Sequence, residues 1–258
     1  MLDSRITNHI LRFFVALLDG VQLIIFDKDG TLIRFDAMWG GWVLELARRL
    51  EREAETRLLQ RSRVSIAERL FAAMGYDSAT GQVLAHGKLA ATPMAQLRAL
   101  TVDVLREAGL ASSIAESVVE SAWHIPDPVI LANPLTDLRA LFTTLRERGI
   151  QVAIATTDDR APTEATLAGL GLTELVATLV CADDGIPAKP APDMVLTICQ
   201  RLNTHPAHAL VIGDSLADMQ MGRAAGAGRV VGVLTGVSAE DVLAPHADVI
   251  LPSVAQLL

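Results

Sequence analysis

The apolar run Leu23-Ile24-Ile25-Phe26 stops at Asp27, and the Gly30-Thr31 pair just beyond is turn chemistry, so a buried strand ending in a polar loop is expected here. The rhythm then changes. From about Met38 to Trp123 apolar positions recur at helical spacing, most clearly from Trp42 to Leu50 and from Leu97 to Leu105, and no strand pattern interrupts the series. After Pro126 and Pro128, helices over 135–148, 161–170, 192–202 and 216–225 each precede an apolar strand, at 151–155, 176–181, 209–212 and 229–233. Uniformly apolar strands separated by helices predict a doubly wound parallel α/β sheet, Rossmann-like, formed by residues 1–35 and 129–258. An all-helical insertion is predicted over 36–128. Ligands of such sheets bind beyond the carboxyl ends of the strands. Asp27, Thr156, Asp183 and Asp214 each follow an apolar strand and are the first candidates.

Composition narrows the partners. With 258 residues, 51% of them hydrophobic and 20% charged, the chain has ample material for a core and no general disorder. A net charge of -8 with scattered arginines would repel a nucleic-acid backbone, so nucleic acid is not an expected partner. The lysines are only three: Lys28, Lys88 and Lys189. Cys181 and Cys199 fall in a predicted strand and helix and suggest no disulfide framework, which fits a reducing, cytoplasmic setting. The stretch from Ile10 to Leu18 is broken by Arg12, ends at Asp19 without a cleavage pattern, and is too short to span a bilayer. It reads as an amphipathic lead-in helix, and no membrane association is expected.

Phe26-Asp27-Lys28-Asp29-Gly30-Thr31-Leu32 resembles the first motif, D-x-D-G-T, of the haloacid dehalogenase superfamily, placed after a strand as in that family. Downstream, in the family's order, come Thr156, then Lys189 in Ala188-Lys189-Pro190-Ala191-Pro192-Asp193, then Gly213-Asp214-Ser215-Leu216-Ala217-Asp218. Four ordered matches cover nearly all of the chain outside the insertion. The insertion lies where the phosphoglycolate phosphatase-like branch carries a helical cap, so 36–128 would be that cap. The resemblance implies a magnesium-dependent phosphatase that hydrolyses a small-molecule phosphate monoester, of the phosphoglycolate or sugar phosphate type, through an aspartyl-phosphate.

The residue types suit that chemistry. A carboxylate nucleophile splits ester cleavage into two easier displacements, and the resemblance gives this role to Asp27. Asp29, two residues on, would protonate the leaving alcohol and then deprotonate the attacking water. Phosphoryl transfer is mostly positioning and charge stabilisation. Thr156 would donate its hydroxyl to the phosphoryl group, with Thr157 as the alternative, and Lys189 would neutralise that group and hold Asp27. Magnesium prefers hard oxygens and keeps several waters. By resemblance its protein ligands are Asp27, Asp214 and the backbone carbonyl of Asp29, while Asp218 either ligates directly or orients a metal-bound water.

Other features carry weaker expectations. Lys28 fills a slot that is often apolar in the family and is expected to face away from Asp27. Asp183 and Asp184 read as solvated loop carboxylates, and Trp39-Gly40-Gly41-Trp42 as core packing in preference to a substrate entrance. The segment from Gly75 to Lys88 reads as a loop, either dipping toward the site or merely connecting helices. Lys88, the only lysine of the insertion, is expected to bind a distal anionic group of the substrate if it reaches the site. A phosphonatase would instead use such a lysine in a Schiff base. A phosphomutase would keep the whole constellation, a dehalogenase would lack the metal motif, and an inactive binding module would lack the carboxylates.

Overall fold

Strand β1 (Leu23–Phe26) is wholly buried and pairs in parallel with β4 (Gln151–Ala155) on one side and β6 (Ala209–Gly213) on the other. A strand covered on both faces and both edges has no place for a polar side chain, which is why the run is continuously apolar. The computed structural model describes residues 16–58, 65–84, 87–124, 127, 129 and 132–258. Within them the sheet is six-stranded and parallel, in the order β5 (Thr178–Val180), β4, β1, β6, β7 (Arg229–Val233) and β8 (Val249–Leu251).

Alternate residues of each strand serve opposite faces. Ile24, Phe26, Val152, Ile154, Leu210 and Ile212 join one apolar cluster, where Phe26 meets Phe142 of helix Leu138–Glu147 with ring centroids 5.4 Å apart. Leu23, Ile25, Ala153, Ala155 and Val211 join the other, with Met194, Val195 and Ile198 of helix Asp193–Arg201. Helices on both faces make the sheet doubly wound, as expected.

Between β1 and the helix Leu138–Glu147 the chain forms helices Phe35–Leu58, Ile66–Met74, Lys88–Ala91, Met94–Glu107 and Ser112–Ala122. The first buries Phe35, Trp39, Trp42, Leu46 and Leu50, a three-to-four-residue repeat along one stripe. Ser65 caps the second by accepting from the Glu68 N–H, and Gly75 ends it at φ 74°. The insertion is not purely helical. Tyr76–Asp77 (β2) and Gln82–Val83 (β3) form a short antiparallel hairpin inside the segment expected to be a loop. Strands of two residues leave no alternation to detect in a sequence. The expected lead-in helix lies largely outside the described residues; of it, Leu17 and Leu18 are buried. Both cysteines are buried and free, and no helix among the described residues is long and apolar enough to cross a membrane.

Candidate active site

Because β1, β4 and β6 are neighbours, the polar residues just past their carboxyl ends converge. Asp27, whose N–H donates to the Ile212 carbonyl at 2.8 Å, opens a cavity whose wall also includes Asp29, Thr157, Asp158, Asp214 and Asp218. Lys189 enters from the loop after β5 and donates to Asp27 Oδ1 at 2.5 Å, while the same ammonium is 2.6 Å from Asp218 Oδ1. The opposite wall comes from the insertion: Phe35, Trp39, Leu89, Thr92 and Met94.

Asp27, Asp214 and Asp218 each offer a carboxylate oxygen, and those oxygens lie within 4.8 Å of one another. Asp214 is held from two sides, accepting from Thr31 Oγ1 at 3.2 Å and from the Val237 N–H at 2.9 Å. Asp218 Oδ2 accepts from the Ser215 N–H at 3.1 Å and from Ser215 Oγ at 2.5 Å, while Ser215 Oγ accepts from the Asp218 N–H. That reciprocal box starts helix Leu216–Ala224. So Asp218 caps its helix and faces the site at once, with Oδ1 turned to Lys189.

Packing three carboxylates around one ammonium leaves negative charge unmatched. Burial, and then the charges of Asp218 and Asp29, outweigh the lowering effect of Lys189 and raise Asp27 to about 6. Burial, followed by Asp27 and Asp218, holds Asp214 well above the ordinary carboxylate range. Burial opposes the Lys189 ammonium, yet Asp218 and Asp27 outweigh it and keep its pKa above the ordinary lysine value. Hard, buried, mutually repelling oxygens fit a small divalent cation. The space they need depends on glycine. A Cβ at Gly30 (φ 92°) would lie 2.6 Å from Asp214 Oδ2, one at Gly236 would run into the same carboxylate, and one at Gly213 would run into Asp218.

Most of the residues expected at the site are found together, and several details differ from expectation. Thr156 is 1% exposed and its Oγ1 accepts from the Asp158 N–H at 3.1 Å, whereas Thr157 lies on the cavity wall. Lys88 is exposed and does not line the cavity; its neighbours Leu89, Thr92 and Met94 do. The two tryptophans divide the roles proposed for them: Trp42 is core, its Nε1 donating to the His124 carbonyl at 2.8 Å, while Trp39 is both buried and part of the cavity wall. Lys28 pairs with two carboxylates other than Asp27. Its ammonium is 2.8 Å from Asp29 Oδ2 and 3.1 Å from Asp158 Oδ2, and the lysine side chain is 1% exposed. Asp183 and Asp184 serve Arg160 instead of the cavity: Asp183 Oδ1 accepts the Arg160 N–H at 2.9 Å, and Asp184 takes the guanidinium at 2.6 and 2.8 Å.

Sequence reasoning missed Asp158 and the Thr235-Gly236-Val237 turn. Thr235 Oγ1 donates to the Gly30 carbonyl at 2.6 Å, and so ties the turn after β7 to the first motif. A hydroxyl and a glycine just past an apolar strand were the available signal.

Known proteins share this chain's sequence pattern and its fold. The family model for haloacid dehalogenase-like hydrolases matches residues 21–226. A phosphoglycolate phosphatase of Rhodospirillum rubrum is 27% identical over 226 residues, 86% of this chain and 83% of its own length. A validoxylamine A 7'-phosphate phosphatase of Streptomyces hygroscopicus subsp. limoneus is 26% identical over 245 residues, 92% of this chain and 95% of the relative. A HAD family hydrolase of Deinococcus radiodurans R1, solved with bound phosphate and sodium, has the same fold with a TM-score of 0.54 at 22% identity, covering 92% of this chain and 93% of that one.

Proposed function

The chain belongs to the haloacid dehalogenase-like hydrolase family, in its phosphoglycolate phosphatase-like branch, and from that premise we propose that it hydrolyses a small-molecule phosphate monoester with magnesium and an aspartyl-phosphate intermediate. The observation that carries the reading is Asp27 itself: at the tip of the central strand, 2.5 Å from Lys189, and clustered with two further buried carboxylates. Both full-length relatives described above are phosphatases by name, one of phosphoglycolate and one of validoxylamine A 7'-phosphate. Residues 36–128 are proposed as the cap over the site.

In this reading Asp27 Oδ attacks phosphorus in line with the ester oxygen, forming an acyl phosphate as the phosphorus–oxygen bond breaks. Asp29 gives its proton to the departing alkoxide, then takes one from the water that attacks the acyl phosphate, so Asp27 is regenerated and inorganic phosphate leaves. Lys189 and the hydroxyl of Thr157, on the cavity wall, would hold the phosphoryl oxygens; buried Thr156 would shape the turn that presents it. Asp27, Asp214 and the Asp29 carbonyl would hold magnesium, with Asp218 orienting its water. Bound there, the ion would neutralise phosphoryl charge and fix the in-line geometry. Lys88, exposed and not among the cavity-wall residues, supports the phosphatase reading over a phosphonatase that would use it in a Schiff base.

Turnover of p-nitrophenyl phosphate should require added magnesium and stop with chelator. Asp27→Asn should lower it by at least ~10³, about 4 kcal/mol of barrier, and should abolish the phosphate-adduct mass seen after acid quench. Near-wild-type turnover by Asp27→Asn, or full activity in chelator, would overturn the mechanism.

A further inference from the structure

The cavity has two unlike ends. Beyond the carboxylates that would receive the phosphoryl group, the wall that must face the leaving alcohol is apolar: Phe35, Trp39, Leu89 and Met94 are 6%, 7%, 4% and 8% exposed, and the hydroxyl of Thr92 is the one polar side chain among them. Trp39 is held in place by an edge-on contact with Trp42, ring centroids 5.8 Å apart at 83°, and Trp42 is braced in turn by Trp123 at 5.3 Å. This is a rigid ring surface, built to take another flat or cyclic apolar face.

Charge argues the same way. Among the described residues, Lys189 is the only cation on the cavity wall, and its ammonium is already shared between Asp27 at 2.5 Å and Asp218 at 2.6 Å. Lys28 is paired with Asp29 and Asp158 behind the wall, and Lys88 stands exposed outside it. A second anionic group on the substrate would enter beside Asp29 and Asp158 with no further cation of the described residues to meet it. An anion removed from water without a partner is disfavoured far more than an uncharged ring is.

Resting on the phosphatase reading above, we propose that the substrate is the phosphate monoester of an uncharged, ring-bearing alcohol whose apolar face lies on Trp39 and Phe35. A phosphorylated carboxylic acid or a bisphosphate does not fit this wall. The leaving group's ring takes the place of water over Trp39, and Thr92 serves a hydroxyl at its rim.

Benzyl phosphate and phosphoglycolate are both esters of primary alcohols and differ in the way that matters here: an uncharged ring against a carboxylate. With magnesium, the wild-type enzyme should show a kcat/KM at least about tenfold higher for benzyl phosphate, a discrimination within reach of a shaped apolar pocket. Trp39→Ala should erase most of that preference by raising KM for benzyl phosphate. Met94→Lys, which puts an ammonium on the same wall, should shift the ratio toward phosphoglycolate and serves on its own if Trp39→Ala does not fold. A smaller or reversed preference in the wild type, or a full preference retained by either folded variant, overturns the inference. Hydrolysis of p-nitrophenyl phosphate separates this failure from a deeper one: if none of the three esters is turned over with magnesium, the phosphatase reading falls and this inference falls with it.

Discussion

The ammonium of Lys28 stands between two carboxylates, 2.8 Å from Asp29 and 3.1 Å from Asp158, with its side chain only 1% exposed. Burial opposes that charge, but Asp29 and Asp158 outweigh it and keep the pKa above the ordinary lysine value. The arrangement fixes the direction of the carboxylate assigned as the proton donor. Lys28→Met would leave two largely buried acids without a cation, a loss that for a broken buried pair runs to roughly 3–5 kcal/mol. Its kinetic signature should be selective, because a positioned acid matters most when the leaving group is poor. Lys28→Met should therefore slow an alkyl phosphate more than p-nitrophenyl phosphate, and Lys28→Arg should restore part of the difference. Equal losses on both esters would show that Lys28 acts through stability alone. In the sequence Lys28 was read as a departure from a motif that faces away from Asp27, and its partner was missed because Asp158 lies in the turn after β4 and is brought to it by the pairing of β4 with β1.

At the scale of elements, the site depends on backbone that stays out of the way. Gly236 follows β7 and lies against Asp214, where a Cβ would collide with the carboxylate, while Gly41 in the first inserted helix has nothing within 4 Å of a built Cβ. Gly236→Ala should displace Asp214 and weaken magnesium binding or activity by roughly 10–100-fold, as loss of a supporting contact around a metal commonly does. Gly41→Ala should leave activity intact and raise stability by up to about 1 kcal/mol, from helix propensity. Titration of magnesium against activity, with thermal melts of both variants, reads the contrast; a Gly236→Ala enzyme with wild-type magnesium dependence would refute it. The strands that carry the site were legible because each is a continuous apolar run. The β2–β3 hairpin and β8 were not, being two and three residues long. Val249-Ile250-Leu251 of β8 is apolar, but a run of three residues at the sheet edge is too short to mark a strand.

For the whole molecule the buried acids link stability to pH and metal. Asp27 is raised from 3.8 to about 6, so between those values the native state keeps a proton that the unfolded chain has released. The native state binding more protons means that stability of the metal-free protein falls as pH rises through that window. Asp214, raised well above its ordinary value, adds to the same trend. Magnesium, in the reading proposed above, would need the charged carboxylates, so its stabilisation would grow as these protons leave. The rise in Tm on adding magnesium should thus be larger at about pH 7.5 than at about pH 5 and should nearly vanish in Asp27→Asn. An equal rise at both pH values would remove Asp27 from the metal site.

What the sequence determined by itself was periodic or contiguous: the apolar strands, the helices that cover them, the inserted helical segment, and the order of the motif carboxylates past strand ends with the lysine between them. Those follow from local chain geometry, in which a strand's end exposes the next residue whatever the rest of the molecule does. Tertiary structure alone decided which of Thr156 and Thr157 faces the cavity, that Asp218 both caps its helix and answers Lys189, that Lys28 turns inward to Asp158, and that Trp39 instead of Lys88 forms the wall opposite the carboxylates. Each of those depends on where a distant segment arrives, and a side chain's partner across the sheet leaves no mark on its own neighbours in the chain.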